Sequence, residues 1–394
     1  MRKNASGGGG PMGCSRLLRH EPAARASSAR ALVRSRTSPR PGRANAAAAL
    51  QIMLGVLILV AGLASSGPVR AQEKGSYTLG QGLWIGKLNL SGYLTVEGEA
   101  ARGEDARLVV DDLSLFIQGR FNRWFNPFIE AEAASLPIAV EHHGLFEGAD
   151  ADVVLERFYN DFVISDHWSL RLGKALTPVG EWNGIHAGPL VETTSRPLTT
   201  FRGFSEFYSG AALLYQSEVE SIPDLTVYWQ PGGELDSNPE AVPGRLFHDI
   251  AGLNLAWHWG LENTVGLSYQ HARVAKTTER QNLVGANVHL VQGPFELSSE
   301  FTYVRLHRPR LDSLRRHELG LYVQGQWHVS EEWSLITRFE VYRDRAVRRA
   351  GRNVVIGISW RPRPPIVWKI EYLDRWGGML DLRTGVRGSF NILF

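Results

Sequence analysis

The residues able to do chemistry in this chain stand at every second position of short segments, not in compact motifs. Glu130 and Glu132 share one face of a segment; Glu296, Ser298, Glu300 and Thr302 share a face of another. Lys369 and Glu371 repeat the pattern, as do Arg383 and Arg387. Successive side chains of an extended chain point to opposite sides, so this spacing lines up one face. Such a face can hydrate ions and polar solutes, but it brings no nucleophile to a base. There is no Gly-rich phosphate loop, no H-E-x-x-H, no Cys cluster and no G-x-S-x-G. His142 and His143 follow Glu141 directly, and adjacent residues of an extended chain diverge, which argues against a metal site. His258, His289 and His328 read as polar face residues rather than a catalytic set. No cofactor and no metal are expected.

The elements that must position these faces are strands. Alternating segments lie near 85–98, 109–121, 127–135, 152–165, 168–176, 208–216, 223–229, 248–259, 263–274, 281–291, 295–306, 317–329, 333–343, 353–361, 366–374 and 383–394. The count is about sixteen, with fourteen and eighteen as neighbouring counts. Connections after even-numbered segments are short, such as Asp166–His167 and Gly260–Glu262; most of those after odd-numbered segments are longer and polar. Ala275–Arg280 is a short exception. Trp124, Trp168, Trp259, Trp327, Trp333, Trp360 and Trp368 crowd the short turns. Aromatic rings of this kind favour a membrane–water boundary, because one end is apolar and the other can hydrogen-bond. The pattern predicts an all-β chain, a transmembrane antiparallel barrel. A closed barrel satisfies every backbone polar group internally, as lipid requires.

The N-terminus reads as a leader. Residues 1–45 are rich in Arg, Ser, Gly and Ala; Ala46–Ala64 is apolar; Val69-Arg70-Ala71 is a small-x-small site. Basic, apolar, small is the order of a secretory signal peptide, with cleavage expected before Gln72. An upstream-annotated start, an organelle transit peptide and an uncleaved anchor are the alternatives. Removing residues 1–71 leaves 32 basic and 39 acidic residues, a net charge of −7 in place of the formal +3. The basic balance of the whole chain is therefore no argument for nucleic acid. Cys14, the single cysteine, leaves with the leader, so the exported part has no thiol chemistry. Residues 72–394 form one expected barrel.

If the apolar positions face lipid, the alternate ones line a lumen too polar for a packed core. Pore-lining or constriction candidates are Lys87, Arg120, Glu130, Glu132, Arg171, Lys174, Glu296, Glu300, Arg338, Lys369, Arg383 and Arg387. Basic positions gather near the closure seam and acidic ones on other arcs, which would set up a transverse field. The alternative is ion pairing between adjacent strands, such as Arg338 with Glu371. The longest connection, Pro178 to Phe207, adds Glu181, Glu192, Arg196 and Arg202. It is either a constriction folded into the barrel or an exposed surface loop.

The terminal segment, ending in Phe390, Ile392 and Phe394 at alternate positions, resembles the closing strand of bacterial outer-membrane barrels. The stretch Leu170-Arg171-Leu172-Gly173-Lys174-Ala175-Leu176-Thr177-Pro178-Val179-Gly180 resembles the phosphate-selective porin O/P family, where a Gly-Lys pair precedes Thr-Pro-x-Gly. The resemblance implies a bacterial outer-membrane porin for passive diffusion of small hydrophilic solutes or ions, with the third loop narrowing the barrel. It implies outer-membrane lipid and the barrel-assembly machinery as partners, the latter through the strand ending at Phe394. It also implies a homo-trimer; a lipid-exposed girdle on all sides would instead argue for a monomer. The Arg- and Lys-dense ladder of a phosphate channel is not present, and the net −7 leans toward cations or neutral solutes. A plugged barrel acting in adhesion or binding is the alternative, and an outer-membrane hydrolase a further one.

Overall fold

The computed structural model describes residues 75–143, 145–146, 152–185, 187–236, 245–310, 313–378 and 383–394. The expected leader lies outside them. Two short strands come first, β1 (Ser76–Thr78) and β2 (Gly82–Ile85), which the alternation did not predict. Sixteen strands follow and close into an antiparallel barrel. The first half is β3 (Leu88–Ala101), β4 (Arg107–Gly119), β5 (Pro127–Val140), β6 (Asp152–Val163), β7 (Trp168–Leu176), β8 (Phe207–Tyr215), β9 (Asp224–Gly233) and β10 (Phe247–Trp259). The second half is β11 (Asn263–Val274), β12 (Arg280–Gln292), β13 (Phe295–His307), β14 (His317–His328), β15 (Trp333–Arg343), β16 (Gly351–Arg363), β17 (Ile366–Gly377) and β18 (Gly385–Leu393). Each of the sixteen expected segments forms one of these strands, including the weakly alternating third, fifth and seventh.

The sequence closes the barrel because its alternation puts apolar side chains outside. On β15, Trp333, Leu335 and Phe339 are each 42% exposed, while Ser334, Arg338 and Glu340 are buried. This inside-out distribution repeats around the sheet and gives the outward apolar band of a membrane barrel. Closure is made by β18 against β3, from Gly385 opposite Ala101 to Leu393 opposite Tyr93. Phe394 completes it: its N–H donates to the Gly92 carbonyl and its carbonyl accepts from Gly92 N–H, both at 2.9 Å. Gly92 must stay small, because a Cβ there would fall 2.9 Å from the Phe394 ring and 2.2 Å from the Ser114 carbonyl.

The short turns lie at one end. Gly260 (φ +63°) and Gly293 (φ +58°) make two of them, in the left-handed region that favours glycine. Outside, near the same end, Trp333 and Trp360 stack at 5.6 Å and Phe295 and Trp327 at 6.2 Å, forming an aromatic row. The interior is less uniformly polar than its sequence pattern. On the arc β7–β11, Ala175, Tyr208, Ala212, Tyr228, Phe247, Ile250, Ala272 and Val274 form a buried apolar cluster.

Candidate functional site

Between β7 and β8 the chain turns into the barrel from Thr177 to Glu206, carrying a short helix α1 (Trp182–Ile185) and 3-10 turns at Gly188–Leu190 and Leu198–Thr200. Its two ends are tied together. Thr177 N–H donates to the Glu206 carbonyl at 2.8 Å, and Asn183 Nδ2 donates to the carbonyls of Thr177 (2.8 Å) and Glu206 (3.0 Å). Apolar loop residues then pack against the inner wall: Val179 and Phe204 on Leu283, Val304 and Leu306; Trp182 and Val191 on Tyr322; Leu198 on Tyr342.

Charged wall residues hold the loop's backbone. Glu300 on β13 accepts from Glu181 N–H (3.1 Å), Trp182 N–H (2.8 Å) and Tyr322 OH (3.3 Å). The approach is so close that a Cβ on Gly180 (φ +70°) would lie 1.9 Å from Glu300 Oε2. Arg338 on β15, with no solvent exposure, donates to Thr193 Oγ1 (2.8 Å), Ser195 carbonyl (2.8 Å) and Ser195 Oγ (2.6 Å). Glu371 on β17 accepts from Thr194 N–H (3.0 Å) and Ser195 N–H (2.9 Å). Glu340 accepts from Thr199 N–H at 3.2 Å, and Lys369 Nζ donates to the carbonyls of Gly188 and Thr193. Glu192 pairs with Arg361 Nη2 at 2.8 Å and accepts from Ser359 Oγ at 2.6 Å. Burial raises the Glu192 carboxyl, but Arg361 and the Ser359 hydrogen bond outweigh it and hold it below the ordinary carboxylate range. A buried charge that is unpaired is costly; here the uncapped amides and carbonyls of a non-repetitive loop satisfy it.

The expected lumen charges therefore divide. Glu300, Arg338 and Lys369 do not face open water: they are covered by the loop, a correction to the alternation reading, which treats every inward charge as solvent-facing. Nor does Arg338 pair across the sheet with Glu371; both turn to the loop. Arg196 pairs with Glu206 and donates to Asn183 Oδ1 at 2.9 Å, which braces the loop internally. The Arg202 carbonyl accepts from Arg245 Nη1 at 3.2 Å near the long-loop end. Lys174 is fully buried beside Glu234 at 3.1 Å and donates to the Asp236 carbonyl at 2.6 Å, so it too does not face open water. Arg383 pairs with Glu104 at 2.8 Å among exposed long-loop residues, beyond the lumen. Arg387 meets Glu99, which also binds Arg107 at 2.7 Å, across the closure seam.

Of the remaining candidates, Glu130 and Glu132 on β5 are also buried and do not face open water, a correction of the same kind. Glu130 pairs with Arg157, and Glu132 accepts from Ser114 Oγ (2.9 Å) and Tyr93 OH (3.2 Å). Arg157 lies 4.7 Å over the Phe128 ring; Arg171 lies 3.9 Å over Tyr159 and binds Asp161 through two hydrogen bonds of 2.8 Å. At the short-turn end Lys87 donates to the Phe121 carbonyl at 2.7 Å. Arg120 and Gln118 line a recess of 520 Å³ there, with Phe128, Tyr159 and Asp161.

One convergence was not expected from sequence. Glu296 stands 3.7 Å from His289 and 3.3 Å from His328; Glu181 reaches His289 at 3.6 Å from the loop. Burial raises the Glu181 carboxyl above its ordinary value; His289 opposes this and Glu296 adds to it. Ser334 meets His328 Nδ1 at 2.9 Å and Ser298 meets His289 Nδ1 at 3.4 Å. These are directly opposed cross-strand pairs in strands bonded on both sides. The ladder takes their backbone N–H groups, so these pairs themselves supply no backbone oxyanion donor. Asp105, Glu141 and His142 meet at the long-loop end, all exposed. Arg361 and Ser389, which also grip the loop, were missed as site residues because nothing local in the sequence distinguishes them.

No protein-family model matches the chain, and no curated protein matches it. Solved structures do. The outer-membrane-expressed OmpT of Vibrio cholerae superposes with TM-score 0.53 at 10% identity, over 83% of this chain and 99% of that one. OmpF of Salmonella typhi, in complex with daunomycin, gives 0.57 at 10%, over 82% and 99%. The anion-selective porin from Comamonas acidovorans gives 0.51 at 12%, over 78% and 99%. At these identities the likeness shows the fold, and that fold is the one these outer-membrane proteins share.

Proposed function

We propose that this chain is a channel of the bacterial outer membrane for passive diffusion of small hydrophilic solutes or ions, with Thr177–Glu206 as its constriction. One observation carries the reading: a long loop is fastened along the inside of a closed barrel by Glu300, Arg338, Glu340, Lys369 and Glu371, and reaches round to Thr95 of β3 at Gly188. A clamped loop narrows a lumen to a fixed width, where an unclamped one would block or wander. The recess at the short-turn end and the partly exposed Arg171–Asp161 pair suit hydrated solutes and perform no bond-making step. Phosphate selectivity is not part of the proposal, because Lys174 of the O/P-like stretch is buried in an ion pair. A porin-like homo-trimer and delivery by the assembly machinery through β18 belong to the same reading.

Liposome swelling with sugars of increasing size tests it. The refolded chain 72–394 should admit small sugars and exclude larger ones with a sharp fall in rate. A folded, inserted barrel that admits none would overturn the reading and favour the plugged adhesion or binding barrel.

A further inference from the structure

The outer surface carries a feature that diffusion does not use. On six consecutive strands the outward row carries an arginine or a histidine close to the long loops. Arg273 (β11), Arg280 (β12), Arg305 (β13), Arg343 (β15) and Arg352 (β16) continue the outward rows that contain the exposed Leu267, Val284, Phe301, Phe339 and Ile356. On β14 the outward position is His317, directly opposite Arg305. Arg273 stands directly opposite Arg280, and Arg280 directly opposite His307. Like charges in such register destabilise a sheet unless something neutralises them. Asp249 meets Arg273 at 3.2 Å and His248 at 3.0 Å. Among the described residues Arg280, Arg305, Arg343 and Arg352 form no ion pair.

We infer that this row binds the phosphate groups of lipid headgroups in the leaflet around the long-loop end. The inference rests on the membrane reading above and goes beyond it. Its height fits. From Trp333 in the aromatic row to Arg343 is ~33 Å along β15 at ~3.3 Å per residue. At a strand tilt of ~40° that is ~25 Å along the membrane normal, the height of a barrel's apolar band. The arginines thus emerge at headgroup level. Guanidinium groups bind phosphate oxygens through paired hydrogen bonds, and those groups are unspent here. Tyr303 stacks with His317 at 6.2 Å, and His271 accepts or donates to Asn282 at 2.7 Å, giving the same rim aromatic and polar neighbours for a headgroup.

The test uses the full barrel in phosphatidylcholine nanodiscs doped with diphosphoryl lipid A or with its dephosphorylated form, with retained lipid counted by native mass spectrometry. The wild type should retain the diphosphoryl lipid and not the dephosphorylated one. Inorganic phosphate in excess should not displace it, because the acyl chains remain in the bilayer; complete displacement would assign the row to free phosphate and overturn the proposal. Combined Arg280→Ser, Arg305→Ser and Arg343→Ser should weaken retention about 100-fold, from about fivefold per arginine. The three Lys replacements should keep most of it. Equal retention of both lipids by the wild type, or unchanged retention in the Ser variant, would overturn the inference. Sugar swelling in the same preparations separates the two readings: swelling with no lipid preference sinks only this one, and a chain that never inserts sinks both.

Discussion

Replacing Arg338 with Met should release the middle of the inward loop without unfolding the barrel. Arg338 is fully buried on β15 and gives three hydrogen bonds to Thr193 and Ser195. Charge-assisted hydrogen bonds contribute about 1.5–3 kcal/mol each, but the three share one short segment and will not add fully. Methionine also leaves Glu340 and Glu371 buried with one cation fewer nearby. A loss of about 3–4 kcal/mol in loop clamping is expected, which is about a 100- to 1000-fold rise in local opening. Hydrogen exchange reads that opening directly. The amides of Thr194 and Ser195, held by Glu371 in the wild type, should exchange faster by that factor, while amides of β11–β14 keep their rates. Unchanged protection at 194–195 in a folded Arg338→Met barrel would refute the view that wall charges clamp the loop.

Other outcomes follow from the same contacts. Gly180→Ala places a methyl 1.9 Å from Glu300 Oε2 at a φ of +70°, and should cost about 2 kcal/mol or more, seen as a lower melting temperature or misplaced loop exchange. Acid should loosen the segment around Glu192. Its carboxyl lies below its unfolded value of roughly 4.3, so its contribution is complete above that pH and is lost as pH falls through the folded value. Channel flicker should rise on that acid limb, and Glu192→Gln should flicker at neutral pH and lose the acid step. Removing Phe394 deletes both backbone bonds to Gly92, and the fraction of heat-modifiable barrel in refolding should drop severalfold.

Much of the fold was legible because each strand faces two different solvents. Lipid on one side and polar interior on the other write a two-residue period that survives without an alignment, as in Trp333 to Arg343. The short strands Ser76–Thr78 and Gly82–Ile85 were not legible: they are too brief to show a period. The site was legible only in part. That Arg338 and Lys369 point inward follows from alternation, but what covers them does not. Arg338 meets Ser195 across 143 residues, and Glu300 meets Trp182 across 118. Those contacts depend on the path of one irregular loop, which carries no periodic signal. Lys174 escaped for a related reason: it meets the Asp236 carbonyl across 62 residues, in the segment after β9. The Glu296–His289–His328 cluster needs the register of β12–β14, which sequence leaves open.

The central claim is an open lumen narrowed by a clamped loop, and single-channel recording of the refolded chain 72–394 in a planar bilayer tests it most directly. Discrete, uniform conductance steps are predicted, with longer and noisier open levels in Arg338→Met, and a reversal potential in a salt gradient that identifies the preferred ion sign. A folded and inserted wild-type barrel that gives no steps would contradict the account.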